Sequence, residues 1–233
     1  MKVLFKIAFP LFVLLVVGCS DENDNNTEII QPKNYKYLAL GDSYTIGQSV
    51  CETCRFPIQL QDSISKYIDD IDTFQTKIIA QTGWTTSNLK SGITSQNPPN
   101  DYDLVTLLIG VNNQYQNTPF NVYEQEFPEL VSTAIEKAKG KKENVIVVSI
   151  PDYAYTPFGN GNTTISTQID DYNAFAENYC NTNNITFINI TDITRLGLAQ
   201  TNLVATDGLH PSKIAYTKFV ERILPKAKIK LGL

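Results

Sequence analysis

Residues 104–113 read LVTLLIGVNN: six apolar or β-branched side chains in a row, then a glycine and a turn carrying two asparagines. A run without alternation is what a parallel strand covered on both faces requires, because neither face can turn a polar side chain to water. Four more strand-length runs repeat the theme: Tyr37 to Leu40, Lys77 to Ala80, Val145 to Ile150 and Ile185 to Ile190. Between them lie apolar stripes at helical spacing. Phe56, Leu60, Ile64 and Tyr67 form one, and Phe127, Leu130, Val131, Ala134, Ile135 and Ala138 a second, with Gly140 placed as its C-terminal cap. Ile169, Tyr172, Ala176, Tyr179 and Cys180 make a third, and Ala215, Phe219 and Ile223 a fourth. Alternating strands and helices joined by short turns predict an α/β fold: right-handed βαβ units forming an open parallel sheet with helices on both faces.

Such sheets place their chemistry at the carboxyl ends of the strands. The first strand is followed by Gly41-Asp42-Ser43-Tyr44, the second by Gln81-Thr82-Gly83-Trp84, the third by Gly110-Val111-Asn112-Asn113. Asp207-Gly208-Leu209-His210-Pro211 precedes the last helix and carries an acid and a base on one loop. His210 is the only histidine, which excludes multi-histidine zinc sites and leaves one imidazole for general-base work near neutral pH. A serine hydroxyl is a poor nucleophile until a base takes its proton. The chemistry therefore needs Ser43, His210 and an orienting carboxylate such as Asp207 within reach of one another. It also needs donors aimed at an oxyanion, for which the amides of Ser43 and Gly83 and the Asn112 carboxamide are candidates. Each such donor is worth about 3 to 4 kcal/mol of transition-state stabilisation. Asp42 is expected to hold its turn through backbone amides.

Gly41-Asp42-Ser43, Gly83, Gly110-x-Asn112 and Asp207-x-x-His210-Pro211 match, in order, the four sequence blocks of the SGNH or GDSL hydrolase superfamily, and over residues 37–215 the chain resembles it. The resemblance implies a flavodoxin-like three-layer α/β/α sandwich around a five-stranded parallel sheet. It also implies a triad of Ser43, His210 and Asp207, an oxyanion hole of Ser43, Gly83 and Asn112, and neither metal nor organic cofactor. The reaction class that follows is hydrolysis of carboxylic esters through an acyl-enzyme, with short acyl or O-acetyl groups, including those on glycans, as the expected substrates. A lysophospholipase or thioesterase is the alternative within that class, and a non-catalytic glycan- or lipid-binding lipoprotein the alternative outside it. Tyr44 stands where the family has leucine, and Asn113 where it has aspartate. The second block lacks the asparagine common before Gly83. Trp84 and Tyr115 either wall a substrate pocket or simply pack, and the aromatic segment 151–164 reads as a lid, a rim or a long loop.

At the amino end, Lys2 and Lys6 precede an apolar stretch that reaches Gly18-Cys19, too short to span a bilayer as a mature helix. Residues 1–18 are read as a lipoprotein signal peptide, because Val16-Val17-Gly18-Cys19 resembles a bacterial lipobox whose cysteine carries the lipid. Residues 19–33 are acidic and polar, a tether with little to bury, and residues 34–233 form the hydrolase domain. The expected location is the bacterial cell envelope, held to the outer membrane by a lipid on Cys19, with surface exposure suggested by the acidic run. The formal charge of −5 becomes −7 (17 basic against 24 acidic side chains) once Lys2 and Lys6 leave with the leader, which disfavours nucleic acid as a partner. In an oxidising compartment Cys51 and Cys54 are expected to close a local disulfide, with a redox pair as the alternative, and Cys180 to be a core thiol. Oligomeric state is not legible.

Overall fold

The computed structural model describes residues 31–233. The proposed leader, Cys19 and most of the proposed tether lie outside them. Five strands, β1 (Asn34–Gly41), β2 (Thr73–Ala80), β3 (Leu104–Leu108), β4 (Val145–Val148) and β5 (Thr186–Ile188), form one parallel sheet in the order β2-β1-β3-β4-β5. All four pairings are parallel, with Leu40 beside Ile79 and Leu107, and Leu107 in turn beside Val147. The five expected strands are thus present, and the order reverses direction beside β1, the place where open α/β sheets form a crevice.

Eight helices cover the sheet among the described residues: α1 (Ser43–Ile46), α2 (Phe56–Ile64), α3 (Thr86–Gln96), α4 (Val111–Tyr115), α5 (Phe120–Lys137), α6 (Thr163–Asn183), α7 (Thr191–Thr194) and α8 (Lys213–Leu231). α2 packs with α8 on one face, and α3, α5 and α6 line up on the other. β3 is buried along its whole length, which explains its unbroken apolar run, and Thr106 is accommodated because its hydroxyl meets Tyr37 Oη at 2.7 Å. β2 lies at the sheet edge and is half exposed.

Four expectations need adjustment. Tyr67 does not continue the α2 stripe: the helix ends at Ile64, and the Tyr67 ring is exposed beneath Lys228 Nζ, 3.3 Å from its centroid. α5 begins seven residues before Phe127, at Phe120, because Pro119 starts it and Tyr123 extends the buried face into an aromatic cluster with Tyr172 and Phe175. α3 has no counterpart among the expected stripes. It buries only Thr86, Leu89 and Ile93 and owes its start to a capping box between Thr85 and Asn88. Gly140 is not the cap itself: α5 ends at Lys137 with Ala138 as its C-cap, Lys139 takes the first left-handed position at φ +59°, and Gly140, φ +71°, follows and donates its amide to the Ile135 carbonyl at 2.9 Å.

Candidate active site

β1 ends at Gly41, and Ser43 opens α1 directly beyond it. Gly41 is required by space: a Cβ there would sit 2.1 Å from Thr45 Oγ1 and 2.4 Å from the Leu108 carbonyl oxygen. Asp42 caps α1 by accepting the Tyr44 amide at 2.9 Å, as its expected structural role requires. It is fully buried, with Oδ2 lacking a hydrogen-bond partner among the described residues. Burial pushes its carboxyl up to about 7, against the opposing pull of the Tyr44 amide.

The acid and base come from a small hairpin before α8. Val204 bridges Pro211, the Ala205 amide donates to the His210 carbonyl at 2.7 Å, and the Ser212 amide donates to Leu203. At its tip, Asp207 Oδ1 accepts the Leu209 and His210 amides at 2.9 and 3.0 Å, a local turn eased by Gly208 at φ +73°. Oδ2 lies 2.6 Å from His210 Nδ1 and 2.6 Å from Ser49 Oγ. Burial alone would raise this carboxyl, but the four hydrogen bonds outweigh it and hold Asp207 well below the usual carboxylate range. An imidazole held through Nδ1 by a carboxylate keeps Nε2 for a proton taken elsewhere. Tyr44 packs against the His210 ring at 5.1 Å between centroids.

Ser43, Gly83, Asn112 and His210 line a single cavity of about 200 Å³, walled by Tyr44, Val111, Tyr115, Tyr153, Phe158 and Leu209. Gly83 has φ +84°, a conformation that favours glycine, and neither its amide nor that of Ser43 is engaged by another group among the described residues. The Asn112 carboxamide nitrogen donates to the Trp84 carbonyl at 3.1 Å and retains a second hydrogen. Preorganised donors of this kind stabilise an oxyanion without reorganising during the reaction.

Asn113 locks the second and third turns together: its Oδ1 accepts the Thr86 amide at 2.9 Å and its Nδ2 donates to Thr86 Oγ1 at 2.7 Å. Gln116 adds a bond from Nε2 to the Gly83 carbonyl at 2.8 Å. Of the two aromatic residues considered as pocket walls, Tyr115 lines the cavity, whereas the Trp84 ring lies over Gly92 of α3 and packs there. The segment after β4 is a pinned rim: buried Asp152 accepts from Arg195 Nε at 2.9 Å and from the Ser166 hydroxyl, and the Phe158 amide donates to the Gly208 carbonyl at 3.0 Å.

Cys51 and Cys54 are joined as a disulfide, and Cys180 is a free buried thiol whose pKa burial pushes up to about 12. Sequence reasoning missed Ser49, the residue that meets the acid from 158 positions away, and the Gln48 side chain beside it, which accepts from Thr82 Oγ1 at 2.7 Å.

The family profile of the GDSL-like lipase/acylhydrolases matches residues 39–218. No curated protein matches the chain in sequence. Among solved structures, an acetylxylan esterase from Geobacillus stearothermophilus superposes with a TM-score of 0.60 at 17% identity, over 87% of this chain and 96% of that one. TesA gives 0.66 at 15% identity over 84% and 99%. The psychrotrophic esterase EstA from Pseudoalteromonas sp. gives 0.58 at 16% identity over 85% and 99%. At these identities the superpositions establish a shared fold.

Proposed function

The chain belongs to the GDSL-like lipase/acylhydrolase family of ester hydrolases, and from that premise we propose that it is a serine esterase working through an acyl-enzyme on short acyl groups. Ser43 Oγ attacks the ester carbonyl while His210 Nε2 takes its proton. The oxyanion is received by the amides of Ser43 and Gly83 and by Asn112 Nδ2. The alcohol leaves with the proton from His210, and water repeats the cycle on the acyl-serine. The observation that carries this reading is the 2.6 Å contact of His210 Nδ1 with Asp207 Oδ2 at the edge of the cavity that Ser43, Gly83 and Asn112 share.

The size of the acyl group is read from the same cavity. About 200 Å³ bounded by Val111, Tyr153 and Leu209 suits an acetyl or butyryl group. Tyr115 and Phe158, 52% and 53% exposed with ring centroids 6.1 Å apart, leave aromatic faces open to the alcohol part of the ester, which suits a sugar ring. Hydrolysis of p-nitrophenyl acetate, butyrate and palmitate tests the assignment, followed by acetate release from acetylated polysaccharide. The two short esters should have the highest kcat/KM, and preference for palmitate would replace this reading with a long-chain lipase. Absence of turnover on every ester would return the non-catalytic binding protein.

We further propose that Cys19 carries a lipid and that residues 19–33 tether the domain to the envelope. The lipobox-like Val16-Val17-Gly18-Cys19 supports this. Metabolic labelling with a radioactive fatty acid should mark the parent and not Cys19→Ala, and a parent that takes up no label would contradict it.

A further inference from the structure

We propose that Ser49 is a positioning residue for the Asp207–His210 pair, and that the turn at 47–49 braces the acid loop against the nucleophile's own segment. Three of the four hydrogen bonds on Asp207 come from its own loop and orient the carboxylate only relative to residues 207–210. The fourth, from Ser49 Oγ at 2.6 Å, comes from the turn that follows α1, whose first residue is Ser43. It therefore ties the acid to the strand-to-helix turn that presents the nucleophile.

The backbone carries a second and independent mark. Ser49 has φ +65°, a left-handed conformation that costs a non-glycine residue free energy and persists where surrounding structure enforces it. That enforcement is visible on both sides. Gly47 at φ +77° closes α1, and a Cβ there would meet Arg55 Cβ at 2.4 Å, so the turn is packed against the segment carrying the disulfide. Gln48 meanwhile accepts from Thr82 on the turn that bears Gly83. One three-residue turn thus touches the second turn through Gln48 and the acid through Ser49.

Oδ2 is the oxygen that His210 Nδ1 also meets, so the Ser49 hydroxyl holds the atom that orients the imidazole in place relative to the segment that carries Ser43. A hydrogen bond at a partly exposed site competes with water, so its loss should misalign the pair in a fraction of molecules rather than abolish catalysis.

The inference rests on the triad reading, and the experiment separates the two. Ser49→Gly removes the hydroxyl and simultaneously relieves the left-handed backbone, so it should remain folded. Its kcat on p-nitrophenyl butyrate should fall about tenfold, with KM changed less than twofold. Because His210 is the sole histidine, one low-field imidazole N–H resonance reports the Asp207 bond without assignment by mutation. In Ser49→Gly it should broaden as exchange with water quickens. Ser49→Asn, whose side chain tolerates the left-handed backbone and retains a donor, should recover part of kcat. Parental kcat with an unaltered resonance in Ser49→Gly would overturn the inference while leaving the triad standing. Undiminished fluorophosphonate labelling of Ser43→Ala would instead remove the triad reading beneath it.

Discussion

Asn112 donates its carboxamide hydrogen to the Trp84 carbonyl at 3.1 Å, across the gap between the second and third strand-end turns. The bond fixes the amide plane so that the remaining hydrogen has one direction, and the cavity shared with Ser43 lies beside it. Asn112→Ala should therefore lower kcat by 10²- to 10³-fold, about 3 to 4 kcal/mol, with KM little changed. Steady-state kinetics on a short p-nitrophenyl ester checks this, and a loss confined to KM would remove Asn112 from the oxyanion site.

Asp207→Asn should keep the fold and lower kcat about 10⁴-fold, because an amide in place of the carboxylate favours the wrong ring tautomer. Its folded carboxyl is depressed, so its contribution to stability is in place above the unfolded value of about 3.9 and is lost as pH falls through the folded value. Acid unfolding of the variant should accordingly start at higher pH than in the parent, which circular dichroism would follow.

Asp42 has the opposite sign. With its folded value raised by burial to about 7, its contribution is complete below the unfolded value and is lost as pH rises to 7. Asp42→Asn keeps an acceptor for the Tyr44 amide and removes this loss. Relative to the parent, its stability should rise between pH 4 and pH 8 by up to about 4 kcal/mol, measured by urea denaturation at both values. A pH-independent difference would mean that the buried carboxyl does not titrate in this range.

The Cys51–Cys54 ring closes a very short loop, so the chain-entropy account predicts about 2 kcal/mol of stabilisation. Replacing both cysteines with serine should lower the melting temperature by roughly 4–8 °C. A larger fall would indicate that the ring also holds the Gly47–Ser49 turn in place.

Much of this architecture was legible because burial on two faces writes itself as unbroken Val, Leu and Ile, as in β3 and β4, and burial on one face as the stripes of α2, α5, α6 and α8. α3 left no such trace, since two buried aliphatic residues in a polar stretch cannot be told from a loop and its capping box acts only once folded. Three of the four blocks were visible as residues at strand ends, and the fourth as an acid and a base on the loop before the last helix. Ser49 was not: it follows Gly47 by two positions in an ordinary polar turn, and its partner stands 158 residues further on. Asn113 likewise looked like a departure from a pattern, and only the fold shows that its amide serves Thr86 as both acceptor and donor. Trp84 illustrates the converse, a large aromatic beside an oxyanion turn that packs on α3.

Labelling with a fluorophosphonate probe, followed by peptide mapping, tests most directly the claim that the single imidazole activates the hydroxyl at the end of β1. The parent should be labelled at Ser43 alone and lose esterase activity in step with labelling, whereas Ser43→Ala should remain folded, unlabelled and inactive, and His210→Ala should label at least 10³-fold more slowly. Labelling at another residue, or esterase turnover that survives in folded Ser43→Ala, would contradict the account.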